Sequence, residues 1–124
     1  MSTSSGDDPL ARLQAFWNAR YAIDDYVYGT EPNDFLVQSL PAIPPKGDVL
    51  CIADGEGRNS VWLARQGCRV TAIDVAAEGL AKARTLAERS GVRIETRVAD
   101  VASFDFGVDR WDAIVSIYLH LPPK

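Results

Sequence analysis

Val49-Leu50-Cys51-Ile52-Ala53-Asp54-Gly55-Glu56-Gly57 is the stretch whose reading decides the fold. The run Val49 to Ala53 is continuously apolar or small, as expected of a strand covered on both faces. It ends in two glycines two apart, which let a backbone turn tightly and approach a ligand without Cβ clashes. Asn59 then stands where it can cap a helix through Val61, Leu63 and Ala64, stopped by Gly67. The free N–H groups of that helix's first turn face whatever lies beyond the strand. A strand-to-helix turn that needs glycine for geometry alone is the competing reading, and Gly55-x-Gly57-x-x-Ser60 also comes close to a dinucleotide fingerprint.

Downstream, the pattern repeats. Arg69 to Asp74 reads as a second strand, and Ala76, Leu80, Ala83 and Ala87 mark the buried stripe of a helix ending near Gly91. Val92 to Ala99 alternates Val92, Ile94, Thr96 and Val98 with charged residues, a third strand with a less buried face. Trp111 to Leu119 reads as a fourth strand, followed by Pro122 and Pro123. Strands alternating with helices imply an α/β fold, a parallel sheet with right-handed crossovers in the order 3-2-1-4. A ligand then belongs beyond the C-terminal ends of strands 1 and 4, where the winding reverses.

Upstream, residues 1–8 are small and polar and are expected to be a disordered tail. Residues 9–46 form an N-terminal helical and loop cap, and 47–124 the sheet domain. Pro9 suits a first helical turn, and Leu10, Leu13, Phe16, Trp17 and Tyr21 recur at helical spacing. Asp24 to Thr30 has turn chemistry without a period. Thr30 is expected to cap a second helix with Pro32 in its first turn, ended by Pro41, Pro44, Pro45 and Gly47.

The chain has 124 residues and a formal charge of −4, with Arg65, Arg69, Lys82, Arg84, Arg89, Arg93 and Arg97 scattered among acids. That distribution excludes the clustered basic surface a nucleic-acid partner requires. Cys51 and Cys68 fit neither a zinc spacing nor a disulfide framework, so no metal site is expected and a reducing, cytoplasmic setting is. The start lacks a signal-peptide pattern, and no apolar stretch is long enough to span a bilayer, so no membrane partner is expected.

Two further carboxylates follow strands in the same topological place. Asp74 ends strand 2 about 20 residues after the glycine turn, where an acid can accept both hydroxyls of a ribose; a helix N-cap is its plainer role, and the two can coexist. Asp100 follows strand 3, where it can accept from an adenine amino group while the Val101 N–H donates to the ring, or serve only as a turn residue. The series glycine turn, Asp74, Asp100 points to an adenosine-containing ligand.

From about Trp17 onward, the joint pattern resembles the Rossmann-like class I S-adenosylmethionine-dependent methyltransferases close to the tellurite-resistance and thiopurine group. Its pieces are Trp17-Asn18-Ala19-Arg20-Tyr21, Asp25-Tyr26-Val27-Tyr28-Gly29-Thr30-Glu31-Pro32-Asn33, Gly55-Glu56-Gly57-Arg58-Asn59, Val70-Thr71-Ala72-Ile73-Asp74, Ala99-Asp100 and Asp112-Ala113-Ile114-Val115-Ser116. The resemblance implies S-adenosyl-L-methionine as cofactor and a small-molecule methyl acceptor. Gly55 and Gly57 would hold the amino-acid end, Asp74 the ribose, Asp100 with Val101 the adenine, and Tyr28 with Gly29 would close over the methionine portion. Trp17, Arg20, Asp54, Asn59, Val75 and Ile117 complete the expected cofactor site. Ala53 replaces the family's first glycine, and Cys51 replaces its strand-1 acid, leaving Asp54 as the carboxylate able to compensate toward the ammonium group.

Such an enzyme chiefly aligns donor and acceptor, so no dedicated acid or base is required. Trp17 or Tyr28 could stabilise a sulfonium charge, and His120 beyond strand 4 is a candidate proton acceptor, although core packing and solvent exposure are their plainer roles. The resemblance implies a continuation past Pro123 with strands 5–7, which this sequence is expected to lack. An apolar strand-4 edge would then invite a homodimer. A nicotinamide-dependent oxidoreductase accounts for the glycine turn and Asp74, but leaves Asp100 and the aromatic loop without a task. A non-catalytic adenosyl-cofactor-binding fragment is the other alternative.

Overall fold

The computed structural model describes residues 8–22, 26 and 29–116. Helix α1 (Pro9–Tyr21) opens the chain, and Asp8 belongs to it rather than to a loose tail: its side chain accepts the Leu10 N–H and caps the helix. Helix α2 (Asp34–Ser39) is capped by Asn33, not Thr30: Asn33 has extended backbone and its carboxamide accepts the Phe35 N–H, while Thr30 lies in a bend before it. A 3-10 turn over Leu40–Ala42 then leads to the sheet.

The sheet is parallel, with order β3-β2-β1-β4, as the alternating pattern predicts. Strand β1 (Asp48–Ile52) pairs with β2 (Arg69–Asp74) from Asp48↔Arg69 to Ile52↔Ile73, and on its other side with β4 (Ala113–Val115). Strand β3 (Glu95–Val98) joins β2 so that Asp74 lies opposite Val98. Helices α3 (Arg58–Arg65) and α4 (Ala77–Arg89) connect the strands and pack against β2 and against each other. Buried Leu36, Val49, Cys51, Leu63, Val70, Ala72, Leu80 and Val115 form the main core. Each large aliphatic side chain withdrawn from water there contributes about 1.5–3 kcal/mol.

Several boundaries differ from expectation. Strand β1 stops at Ile52 because Ala53 takes φ +53°, outside the extended region. Helix α3 is capped by Gly57 at φ +95°, so Asn59 lies inside the helix instead of capping it. Strand β3 begins at Glu95 rather than Val92; Glu95 and Arg97 on its charged face are exposed, as expected, and so is Val98 on the apolar one. Strand β4 is observed over Ala113–Val115; Trp111, Asp112 and Ser116 of the expected strand lie outside its ladder, and Ile117 to Leu119 lie outside the described residues. Among the described residues β4 borders the sheet with β1 as its one partner, the edge on which the dimer expectation rests. No described helix is long and apolar enough to cross a membrane.

Candidate functional site

The loops that leave the C-terminal ends of β1, β2 and β3 meet at a cleft of about 370 Å3, within the range of about 300–1,000 Å3 common for small-molecule sites. The β1 loop contributes Ala53, Asp54, Gly55 and Glu56, the β2 loop Asp74 and Val75, and the β3 loop Ala99, Asp100, Val101 and Ala102. Leu13, Trp17, Tyr21 and Gly29 cover it from the N-terminal segment, and Arg58 and Asn59 line it from α3.

The glycine turn is held by packing as well as by conformation. Gly57, at φ +95°, lies so close to α4 that a Cβ would stand 2.6 Å from the Ala83 Cβ. Gly55, at φ +64°, lies under Tyr21, whose hydroxyl would be 2.9 Å from such a Cβ. Neither position tolerates an L side chain without strain, so these glycines bring the turn down onto α1 and α4 and keep it there.

Asp74 ties two loops together. One carboxylate oxygen accepts the Gly55 N–H at 2.8 Å and the other the Ala76 N–H at 2.9 Å. The cap of α4 is Ala76, so Asp74 serves the loop before the helix rather than the helix itself. Burial pushes its pKa upward, against the lowering effect of hydrogen bonds from the Ala76, Gly55 and Val75 amides. The two oxygens together offer about four acceptor sites, so capacity for a ligand hydroxyl remains beyond these amides. Asp100 lines the cleft, and its carboxylate accepts the Ala102 N–H at 3.1 Å in a turn.

Asp54 faces the same cleft. Ser60 Oγ donates to one of its oxygens at 2.7 Å and the Ser60 N–H to the other at 3.3 Å. Its pKa is raised to about 6, chiefly by burial and further by the neighbouring Asp74 charge, against lowering contributions from Ser60 and Arg58. Asn59 lines the cleft while its side-chain oxygen accepts the Asn33 N–H at 2.8 Å, anchoring the N-terminal segment to α3. Trp17 is both core and cleft wall: it is buried, stacks on Tyr21 at 5.4 Å and meets Phe16 edge-on. Arg20 is exposed on the last turn of α1 and is not among the residues lining the cleft. Tyr28, Ile117 and His120 lie outside the described residues. Among those described, no cluster of His, Cys, Asp and Glu is arranged to hold a metal ion.

A family model described as a methyltransferase domain matches residues 49–124, from β1 onward. The chain belongs to this methyltransferase family. A ubiquinone biosynthesis O-methyltransferase of Methylocella silvestris is 33% identical over 119 residues, covering 91% of this chain and 45% of that protein. The chain therefore spans less than half the length of this relative. Among solved structures, TehB from Haemophilus influenzae is 25% identical, with a TM-score of 0.59 over 83% of this chain and 33% of that one. Magnesium protoporphyrin IX methyltransferase from Synechocystis, solved with bound S-adenosylhomocysteine, is 18% identical, with a TM-score of 0.66 over 88% and 58% of the two chains. These likenesses establish the Rossmann-like methyltransferase fold.

The site contains residues that sequence reasoning passed over. Tyr21 was read as part of an apolar helical face and of the N-terminal family pattern, without a role of its own, yet it covers Gly55. The signal for it was Gly79, a glycine within an alanine-rich helix: a Cβ there would stand 2.9 Å from both the Gly55 carbonyl oxygen and the Tyr21 ring. Glu56, between the two turn glycines, is buried and accepts from Lys82 Nζ at 2.8 Å. Tyr26 then joins Lys82 from the other side, donating its hydroxyl hydrogen to the Lys82 carbonyl at 2.8 Å.

Proposed function

We propose that this chain is the S-adenosyl-L-methionine-binding part of a methyltransferase that acts on a small-molecule acceptor. The observation that carries the reading is the placement of Asp74 and Asp100 after adjacent strands, facing one cleft beside the glycine turn. Both are acceptors, and an adenosine offers donors to match: two ribose hydroxyls and an exocyclic amino group. The family match and the S-adenosylhomocysteine bound to the Synechocystis relative support the same ligand.

In this reading the free lone pairs of Asp74 receive the ribose hydroxyls, with Val75 against the sugar. Asp100 accepts from the adenine amino group and Val101 donates its N–H to the ring. The turn through Gly55 and Gly57, with the first turn of α3, receives the amino-acid end, where free N–H groups favour a carboxylate. Asn59 holds the N-terminal segment in place through Asn33, so that Trp17 and Gly29 cover the cleft and exclude water from it. The bound cofactor supplies a methyl group made electrophilic by sulfonium sulfur. Protein groups contribute alignment and desolvation, which suffice for an in-line displacement. The name of the Methylocella relative favours a small organic acceptor, and the likeness to TehB keeps a tellurite-resistance type of acceptor within the proposal.

Calorimetric titration with S-adenosylhomocysteine, with NAD run beside it, tests the reading. Micromolar binding of the adenosyl ligand and none of NAD is expected. NAD binding, or a folded chain that ignores S-adenosylhomocysteine, overturns it.

A further inference from the structure

Helix α4 begins without a cap of its own. Its N-cap position is Ala76, which has no side-chain oxygen to offer, and Asp74, the nearest acid before it, accepts from the Gly55 and Ala76 amides rather than from an amide inside the helix. The Glu78 N–H is one of the first-turn amides that an N-cap side chain ordinarily receives. It is met instead by Asn18, 60 positions upstream on α1, whose carboxamide oxygen accepts it at 3.0 Å. The cap of one helix is carried by another.

Asn18 belongs to a working face of α1. Trp17 lies four positions before Tyr21 and Asn18 three before it, so both neighbour Tyr21 on the helix surface. Trp17 packs with buried Ala76, and Val75 lies against the pair. The Tyr21 ring lies over Gly79, where a Cβ would come within 2.9 Å of it. All three side chains therefore engage the junction between β2 and α4, the stretch that also brings Asp74 and Val75 into the cleft. Trp17 and Tyr21 wall the cleft themselves, whereas Asn18 is half-buried and is not among the lining residues. Apolar packing is non-directional and leaves the rings free to shift along α4; a hydrogen bond of set length and angle removes that freedom.

We propose that Asn18 is a positioning residue: by capping α4 from α1 it seats the Trp17 and Tyr21 wall over the loop that carries Asp74 and Val75, and so governs how long an adenosyl ligand stays in the cleft. The assignment rests on the adenosyl-cofactor reading above. A ligand enclosed between α1 and the strand-end loops leaves when α1 lifts. Each lifting breaks the Asn18 cap, so a chain without that cap opens, and releases its ligand, more often.

Two variants and S-adenosylhomocysteine test it. Asn18→Ala removes the acceptor, whereas Asn18→Asp keeps an oxygen at the same reach and sets a negative charge at a helix N-terminus, where it is favoured. Loss of one cap corresponds to a factor of roughly three to ten, and Asn18→Ala should speed dissociation of S-adenosylhomocysteine by that factor in stopped-flow fluorescence. Amide exchange in α1 of the ligand-free chain should quicken with it. Asn18→Asp should return both rates close to those of the unaltered chain. An Asn18→Ala chain that melts lower but releases the ligand at the unaltered rate would make Asn18 a stabiliser of α4 alone. A folded Asn18→Asp chain that releases it as fast as Asn18→Ala would deny the cap. Either result overturns the proposal. S-Adenosylhomocysteine failing to bind the unaltered chain would overturn the cofactor reading itself, which keeps the two failures apart.

Residue-resolved exchange on the unaltered chain serves should Asn18→Ala fail to fold. The opening that lifts α1 is the one that uncaps the Glu78 amide, so this amide should be protected in the ligand-free chain and should slow with those of α1 when S-adenosylhomocysteine saturates the cleft. A Glu78 amide that exchanges as an open one does, or that keeps its rate when the ligand is added, overturns the proposal.

Discussion

Ala53 sits at φ +53°, in the left-handed region, where the Cβ of an L residue crowds the following carbonyl at a cost of roughly 1–2 kcal/mol. Glycine escapes that crowding but leaves the unfolded chain freer, so the two effects oppose each other. At a positive φ the native strain outweighs the entropy, and Ala53→Gly should stabilise the chain by about 1 kcal/mol, read as a higher urea midpoint at unchanged slope. The neighbouring Asp54 gives the ligand-free chain an unusual pH response. Its pKa is about 6 in the fold against an ordinary 3.8, and burial raises that of Asp74 as well. Both groups bind protons more readily folded than unfolded, so their favourable contribution is complete below the ordinary carboxylate value and is lost as pH rises through the folded values. The melting temperature of the ligand-free chain should therefore rise on acidification from about pH 7 to about pH 5, and Asp54→Asn should flatten the rise. A melting temperature that falls over this window in the unaltered chain contradicts the burial of these groups. The position of each carboxylate after its strand is legible in the sequence, because strand ends and acids are local. That Asp74 accepts the Gly55 amide is not, because the bond spans 19 positions and exists only once β1 and β2 are in register.

At the level of elements, the turn after β1 is clamped between two helices, and Gly79 on α4 decides how close they come. Alanine favours a helix over glycine by about 1 kcal/mol, which alone would make Gly79→Ala stabilising. Its Cβ, however, would stand 2.9 Å from the Gly55 carbonyl oxygen, a backbone atom already fixed in the turn, and 2.9 Å from the Tyr21 ring. Overpacking of this kind costs about 1–3 kcal/mol, so the clash should win and Gly79→Ala should lower the urea midpoint. A higher midpoint would show that α4 and the turn separate freely. The same packing explains which elements the sequence predicts well. Strand β2 is buried along nearly its whole length and is found over Arg69–Asp74 as read, since its apolar pattern and its burial coincide. Among the described residues strand β3 has one neighbour and an exposed face, so the alternation from Val92 to Ala99 overstates the hydrogen-bonded part, Glu95–Val98. Asn59 misleads for a different reason. Its side chain has the chemistry of a cap, but the left-handed Gly57 starts the helix earlier and frees Asn59 to receive the Asn33 amide.

Across the whole molecule, the cleft lies between two apolar clusters of unequal size. The larger lies on the sheet, with Leu63 and Leu80 against Val49, Val70 and Val115. The smaller consists of Trp17, Tyr21 and Ala76, with Leu13 and Val75 against it, and joins α1 to the loop after β2. Elements held by few buried contacts open with less free energy than the core. Helix α1 is therefore expected to exchange its amide hydrogens faster than β1 and β2 in the ligand-free chain. A ligand in the cleft touches both parts, the sheet loops from below and Trp17, Tyr21 and Gly29 from above, so every opening that lifts α1 also breaks the site. Linkage then sets the size of the response: at a concentration of about 100 Kd, such openings are suppressed by about 2.7 kcal/mol, a slowing of roughly a hundredfold. S-Adenosylhomocysteine should slow exchange in α1 and in residues 99–102 by this factor. Local openings at the opposite end of the sheet, around Gly67 and Gly91, leave the cleft intact and should keep their rates. Slowing in the sheet loops alone, with α1 unchanged, would remove the N-terminal helix from the site and leave the cofactor bound by the strand ends only.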